Sequence, residues 1–306
     1  MQSKNSGEKM KFKHISIVYA VLAAALYAIN IPFSKLLLNH VQSTMMASLL
    51  YLGAGLGLII YSYSEKVFGR NIKRDPLTKK ELPYTIGMIL LDIIAPILLM
   101  IGISMSSSAS ISLLNNFEIV ATSIIALVIF KEVISKKLWF AITFVTIASI
   151  LLSFDGQASI TFDIGSFFVL GACLCWGLEN NCTKMISNKN SIGIVIIKGI
   201  FSGTGSLIIA LLTGEKIPEF KWILCVLLLG FVAYGLSINF YIMAQKDLGA
   251  AKTSAYYSIA PFLGVLFSII LLRERPKINF YIALAIMIIS TYIMIKDSIN
   301  NKKQPE

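Results

Sequence analysis

Charge and metal-ligating side chains are scarce in this chain. Of its 306 residues only 14% are Asp, Glu, Lys or Arg, two are histidine and four are cysteine. An ordinary soluble domain carries about 25% charged residues, so a water-soluble globular class is excluded. Cys173, Cys175, Cys182 and Cys225 all fall inside apolar segments without metal-ligand spacing. Cys173 and Cys175, two apart, point to different faces of a helix, and the four read as small core residues. His14 and His40 sit at segment ends, where an interfacial or loop role is expected rather than ligation. No metal site and no cofactor motif is legible. Acidic residues are rarer than basic ones, 16 against 27, for a net charge of +11. That balance does not imply nucleic acid, because the basic residues lie between apolar runs and not in a basic domain with interleaved aromatics.

What is abundant is apolar surface: 56% of the residues are hydrophobic and the mean hydropathy is +0.77. The apolar runs exceed any globular core helix and identify a polytopic membrane protein whose solvent is the lipid bilayer. The run 15–38 is too long for a signal-peptide core and has no cleavage site, so it is expected to be retained. Further spans are expected near 43–62, 84–104, 108–130, 138–154, 165–186, 192–212, 222–243, 252–272 and 278–295, giving an all-α fold of ten transmembrane helices. The period-2 alternation of a membrane barrel is absent. Lysine and arginine concentrate in alternate connections, around 4–13, 66–80, 131–137, 184–189, 246–252 and 296–303. This asymmetry places both termini in the cytoplasm of a cell-membrane protein. The 273–277 connection, with Arg273, Arg275 and Lys277, is the exception on the outer side.

One stretch, Ser108 to Trp139, puts a carboxylate inside a segment that otherwise belongs in lipid. A helix starting near Ser108 and rising ~1.5 Å per residue carries Glu118 about 15 Å down, near the middle of a core roughly 30 Å thick. Ser108, Ser112, Asn115, Glu118 and Thr122 recur at three- and four-residue intervals and share one face. Such a stripe lines water or substrate.

The chain also repeats itself. Residues 251–277 align without a gap on the earlier stretch, pairing Ser112 with Ser254, Val128 with Ile270 and Lys131-Glu132 with Arg273-Glu274. Tyr27 to Lys35 aligns with Trp176 to Lys184, so that an aromatic, a polar residue, a hydroxyl and a lysine recur in register. This layout resembles two tandem EamA-type repeats of the drug/metabolite transporter superfamily over about residues 15–296. The family's Glu-Pro pair is divided here, with Glu118-Ile119 in one copy and Ala260-Pro261 in the other. The units expected are a head at 1–14, a first repeat at 15–154, a connecting loop at 155–164, a second repeat at 165–296 and a tail at 297–306. Five spans per repeat is odd, so the second repeat enters the membrane inverted, with a site where the halves meet.

Residues expected at that site are Tyr27, Asn30, Asn115, Glu118, Trp176, Glu179 and Tyr257. Asn30, Ser34, Asn180 and Thr183 equally suit interhelical hydrogen bonding without a ligand. Asp92 and Lys198 lie at a depth that Glu179 matches, so a charge pair is geometrically possible; the alternative has Lys198 reaching the interface and Asp92 facing water. Tyr256, Tyr257 and Phe262 flank Pro261 and offer an aromatic wall suited to a cation or zwitterion with an apolar part. Gly53, Gly55, Gly57, Gly203 and Gly205 read as close helix packing.

The resemblance implies export or exchange of small metabolites, often amino acids or drug-like compounds; the aromatic wall adds amines, the buried Glu118 carboxylate adds protons as a candidate coupling partner, and the unit expected is a monomer or homodimer. A passive channel and a membrane-embedded lipid-modifying protein are the other classes this composition admits. No nucleophile and base pair can be assembled for an enzyme.

Overall fold

The structure is a computed structural model that describes residues 2–67, 75–131, 135–153 and 163–300. All regular structure among these residues is helical: α1 (Gln2–Tyr27), α2 (Asn30–Leu37), α3 (Ser43–Val67), α4 (Leu82–Met105), α5 (Ser108–Leu114), α6 (Phe117–Val128), α7 (Lys136–Ser153), α8 (Ile164–Ile186), α9 (Ser191–Leu212), α10 (Phe220–Leu229), α11 (Ser237–Leu248), α12 (Ala250–Tyr257), α13 (Ala260–Leu272) and α14 (Ile278–Asn300). Six stretches are long and apolar enough to cross a membrane: Ile15–Leu37, Ser43–Glu65, Lys79–Met105, Ser108–Val128, Ser191–Leu212 and Phe220–Leu248. Trp139–Leu152, Ala260–Leu272 and Ile278–Ile293 are shorter apolar helices. Glu132 and most of the 155–164 loop fall outside the described residues.

Several stretches expected to be single helices are broken, and the breaks have local causes. The Ser108 segment is not continuous: α5 stops at Leu114 and α6 starts at Phe117. Across Asn115 and Asn116 the chain uses tighter i to i+3 bonds, Asn116 N–H to the Leu113 carbonyl and Glu118 N–H to the Asn115 carbonyl, both 3.1 Å. Asparagine favours such departures because its amide competes with the helix ladder. A second break separates α1 from α2 at Ala28-Ile29, where Pro32 has no N–H to offer the Ala28 carbonyl one turn back. The third, at Ser258-Ile259 between α12 and α13, stands just before Pro261. Between α10 and α11 the residues Gly230–Leu236 widen into a π-helix.

Packing follows the apolar faces. Helix α4 runs against α8, α3 against α9, and α7 against α14. The approach of α3 to α9 depends on glycine, since a Cβ on Gly199 would stand 2.4 Å from the Gly55 backbone nitrogen. Likewise, a Cβ on Gly53 would meet the Leu227 carbonyl oxygen at 2.2 Å. Cys173 is buried as expected, but Cys225 is exposed on the outside of the bundle, where apolar residues of α10 form the surface. His40 stacks on Trp222 with ring centroids 3.8 Å apart.

Candidate functional site

Three helix breaks and the π-helix surround one small central cavity of about 50 Å³. Its wall takes Tyr27 from α1, Tyr51 from α3, Glu118 from α6, and Trp176, Glu179, Asn180 and Thr183 from α8. Lys198 of α9, Tyr234 of the π-helix, Ile238 and Tyr241 of α11 and Tyr257 of α12 complete it. The volume exceeds the ~10–15 Å³ needed for one water and falls far below the ~300 Å³ at which drug-sized pockets begin. The central site is therefore contracted. A larger basin of about 460 Å³ lies elsewhere, beside Lys35, Ser107, Glu274 and Phe280. We place the site at the smaller cavity because the buried charges converge there.

Asp92, Glu179 and Lys198 are 0%, 2% and 4% exposed. Lys198 Nζ donates to Glu179 Oε1 at 2.8 Å and stands 3.1 Å from Asp92 Oδ2. Asp92 Oδ1 accepts from the Tyr51 hydroxyl at 2.7 Å, while Oδ2 faces the Lys198 ammonium. Thr183 donates its hydroxyl to the same Glu179 oxygen that Lys198 uses. Lys198 thus stays among acids inside the bundle and does not extend to an interface. Pro96, one turn beyond Asp92, withholds an N–H from the Asp92 carbonyl and so removes one bond from the α4 ladder beside the cluster, within a helix that continues to Met105.

Glu118 is half-buried and stands apart from that cluster. Its Oε1 accepts from Asn180 Nδ2 at 2.7 Å, and the same amide donates to Thr122 Oγ1 at 3.3 Å. Around it the tyrosines interlock. Tyr27 meets Tyr234 and Tyr257 at 5.7 Å between centroids, Tyr241 meets Tyr257 at 5.0 Å, and Tyr51 meets Tyr234 at 5.1 Å. With Asp92 included, three carboxylates face one ammonium, so the site has a formal excess of negative charge.

Of the residues expected from sequence, Tyr27, Glu118, Trp176, Glu179 and Tyr257 line this cavity. Asn30 does not: it donates to the Tyr234 hydroxyl at 3.2 Å and accepts from Ser34. It therefore positions a lining residue instead of lining the cavity. Asn115 borders two adjoining pockets of about 10 Å³ each, and its Oδ1 accepts from the Cys173 thiol at 3.7 Å. Asn115 itself stands at the break, where α5 ends. Tyr256 packs in a separate apolar cluster with Ala20 and Ala244, outside the cavity, and Phe262 packs against the main core. Tyr51, Tyr234 and Tyr241 line the cavity without having been singled out by the sequence pattern. For the last two a signal existed, because Tyr234, Ile238 and Tyr241 recur at helical spacing on one face.

Comparison with known proteins covers almost the whole chain. A model described as the EamA-like transporter family matches residues 14–154 and again 163–296. An uncharacterized transporter of Methanothermobacter thermautotrophicus is 23% identical over 92% of this chain and 85% of its own length. The uncharacterized transporter YyaM of Bacillus subtilis is 20% identical over 84% and 86%. A crystal structure described only as that of a protein superposes with a TM-score of 0.67 at 14% identity, covering 94% of this chain and 97% of its own, a likeness of fold alone.

Proposed function

Because the chain belongs to the EamA-like transporter family, a multi-pass membrane family within the drug/metabolite transporters, we propose that it is a secondary transporter of a small organic cation or zwitterion, working by alternating access and driven by protons. It crosses the cell membrane ten times. The breaks pair α1 with α2, α5 with α6 and α12 with α13 as single spans, and α10 continues through the π-helix into α11. Five spans form each of two inverted repeats, with both termini in the cytoplasm.

The observation that carries this reading is Glu118: a half-buried carboxylate on a broken helix, held by Asn180 of the other repeat and facing tyrosine rings. Aromatic faces attract a cation through their quadrupole, and the carboxylate supplies its counter-charge. A proton and a cation that compete for one carboxylate are exchanged across the membrane when the gates alternate. The second charged group, Asp92, Glu179 and Lys198, crosses between α4, α8 and α9 and couples those helices to the state of the cavity. Lys198 already faces two acids, which leaves it poorly placed for a substrate phosphate.

Uptake into proteoliposomes across amines, amino acids and sugar phosphates, with and without a pH gradient, tests the proposal. The expected result is saturable, gradient-driven accumulation of an amine or amino acid that Glu118→Gln abolishes while the protein stays folded. Glu118→Gln protein that accumulates substrate as well as the parent shows Glu118 to be structural. Flux that neither saturates nor counterflows shows a channel.

A further inference from the structure

The 460 Å³ basin is separated from the central cavity by a constriction where α2, α5 and α13 meet. Ser108 and Ser268 hydroxyls touch there at 2.9 Å. Below them, a Cβ on Gly264 would stand 3.1 Å from Ser112 Oγ and 3.4 Å from the Ala28 carbonyl oxygen. Closure is held at one short connection, Ser106-Ser107, between the C-terminus of α4 and the N-terminus of α5. Lys35 Nζ donates to the Ile103 and Ser106 carbonyls at 2.5 and 2.8 Å, which neutralises the negative end of α4. From the α13–α14 connection, Glu274 accepts the Ser108 and Ala109 N–H groups, one on each carboxylate oxygen, both at 2.8 Å. A cation from the first half and an anion from the second thus hold the chain on either side of Ser107, at Ile103 and Ser106 before it and at Ser108 and Ala109 after it.

Backbone geometry aims the second grip. Arg273, directly before Glu274, is a non-glycine residue in the left-handed region with φ 52°. Such a conformation is uncommon outside glycine and concentrates at functional sites. Lys131, its partner in the gapless repeat alignment, is left-handed too, with φ 56°. The same register pairs Ser107, which precedes α5 at φ −70°, with Gly249, which precedes α12 at φ 79°, so these two share a cap position and not a conformation. The left-handed turn at Lys131 and Arg273 does recur with the repeat instead of serving one local loop.

We propose that Lys35 and Glu274 are the latch of a gate between the basin and the central cavity, and that the left-handed turn at Arg273 sets Glu274 against the α5 N-terminus in this closed state. Release of the two grips leaves the α4–α5 connection tethered through the Ser106 hydroxyl, which donates to Asp163 at 2.6 Å, and lets Ser108 part from Ser268 and Ser112 open to the basin. This inference rests on the alternating-access reading for its purpose, but its test needs no substrate.

Ser112→Cys places a thiol at the constriction, and a membrane-impermeant maleimide applied from the basin side reads its accessibility against the parent without that cysteine. Slow labelling is expected with the latch intact, and labelling at least tenfold faster when Glu274→Gln or Lys35→Ala is added. Glu219→Gln, at an exposed carboxylate paired with Lys221, leaves the rate unchanged. Glu274→Asp keeps the charge but shortens its reach, and carries the same expectation where Glu274→Gln is not recovered as folded protein. Labelling that stays at the wild-type rate in every recovered latch variant overturns the proposal. Faster labelling in a protein that moves none of the substrates tested leaves the latch standing and counts against transport.

Discussion

Asn180 of α8 and Glu118 of α6 are joined by a 2.7 Å hydrogen bond between residues 62 positions apart. The bond ties one half of the chain to the other at the wall of the central cavity. Asn180 is itself fixed, because its carbonyl oxygen accepts from Gln245 Nε2 at 3.2 Å. The carboxylate is therefore placed by three helices and cannot turn freely toward or away from the cavity.

Asn180→Ala should weaken substrate binding without unfolding the protein. Removing a donor from a partly buried carboxylate costs about 1–3 kcal/mol, of which the cavity side can regain a part through water. We expect roughly a tenfold loss of affinity, on the order of 1.4 kcal/mol, read by titration of the detergent-solubilised protein with the best substrate. Unchanged affinity would show that Glu118 holds its position without help.

Lys198→Ala should be the most destabilising change in the charged cluster. It leaves Asp92 and Glu179 buried together with no cation, and breaking one side of a buried ion pair costs about 3–5 kcal/mol. Thermal unfolding should show a lower Tm than the parent, and a Lys198→Met/Asp92→Asn double variant should recover part of the loss because fewer charges remain unpaired. A double variant as unstable as the single one would mean that packing at Lys198, and not charge, sets the cost.

The helical class, six of the apolar spans and the acid inside one of them, Glu118 in Ser108–Val128, were legible in the sequence, since apolar run length and a carboxylate within it are local signals. Asn30 and Asn115 show what was not. Both share a helical face with cavity residues on an ideal helix, yet the chain breaks at Ala28-Ile29 and at Asn115-Asn116, so the spacing of one continuous helix does not carry across either point. Pro32 announces the first break one turn late, and no proline marks the second. Tyr51 was invisible for a different reason: its role depends on Asp92, which reaches it only through the packing of α3 against α4. Glu274 was not singled out by the sequence beyond its alignment with Glu132, because its partners, two backbone N–H groups of α5, lie 166 and 165 residues away.

Sidedness has its own check. Single cysteines at Thr78 and Lys189 should resist an impermeant reagent added to intact cells, whereas cysteines at Lys216 and Lys277 should react. Labelling of the Thr78 and Lys189 positions from outside would invert the molecule, and the basin would then open toward the cytoplasm.

Gly199→Leu should damage the fold more than the nearby Ile200→Leu. Gly199 is buried where α9 crosses α3, and even its first added carbon would sit 2.4 Å from the Gly55 nitrogen and 2.7 Å from the Tyr51 carbonyl oxygen. Both neighbours are backbone, so neither can rotate away as a side chain would. The helices would have to separate, which costs typically about 1–3 kcal/mol or more for overpacking and also shifts Tyr51 from Asp92. Ile200 keeps its volume on exchange for leucine and should cost under about 1.5 kcal/mol. The comparison is read as Tm of the two purified variants in one detergent. A Gly199→Leu protein melting with the parent would mean that α3 and α9 can part without cost, and that the α3–α9 contact does not hold the charged cluster in place.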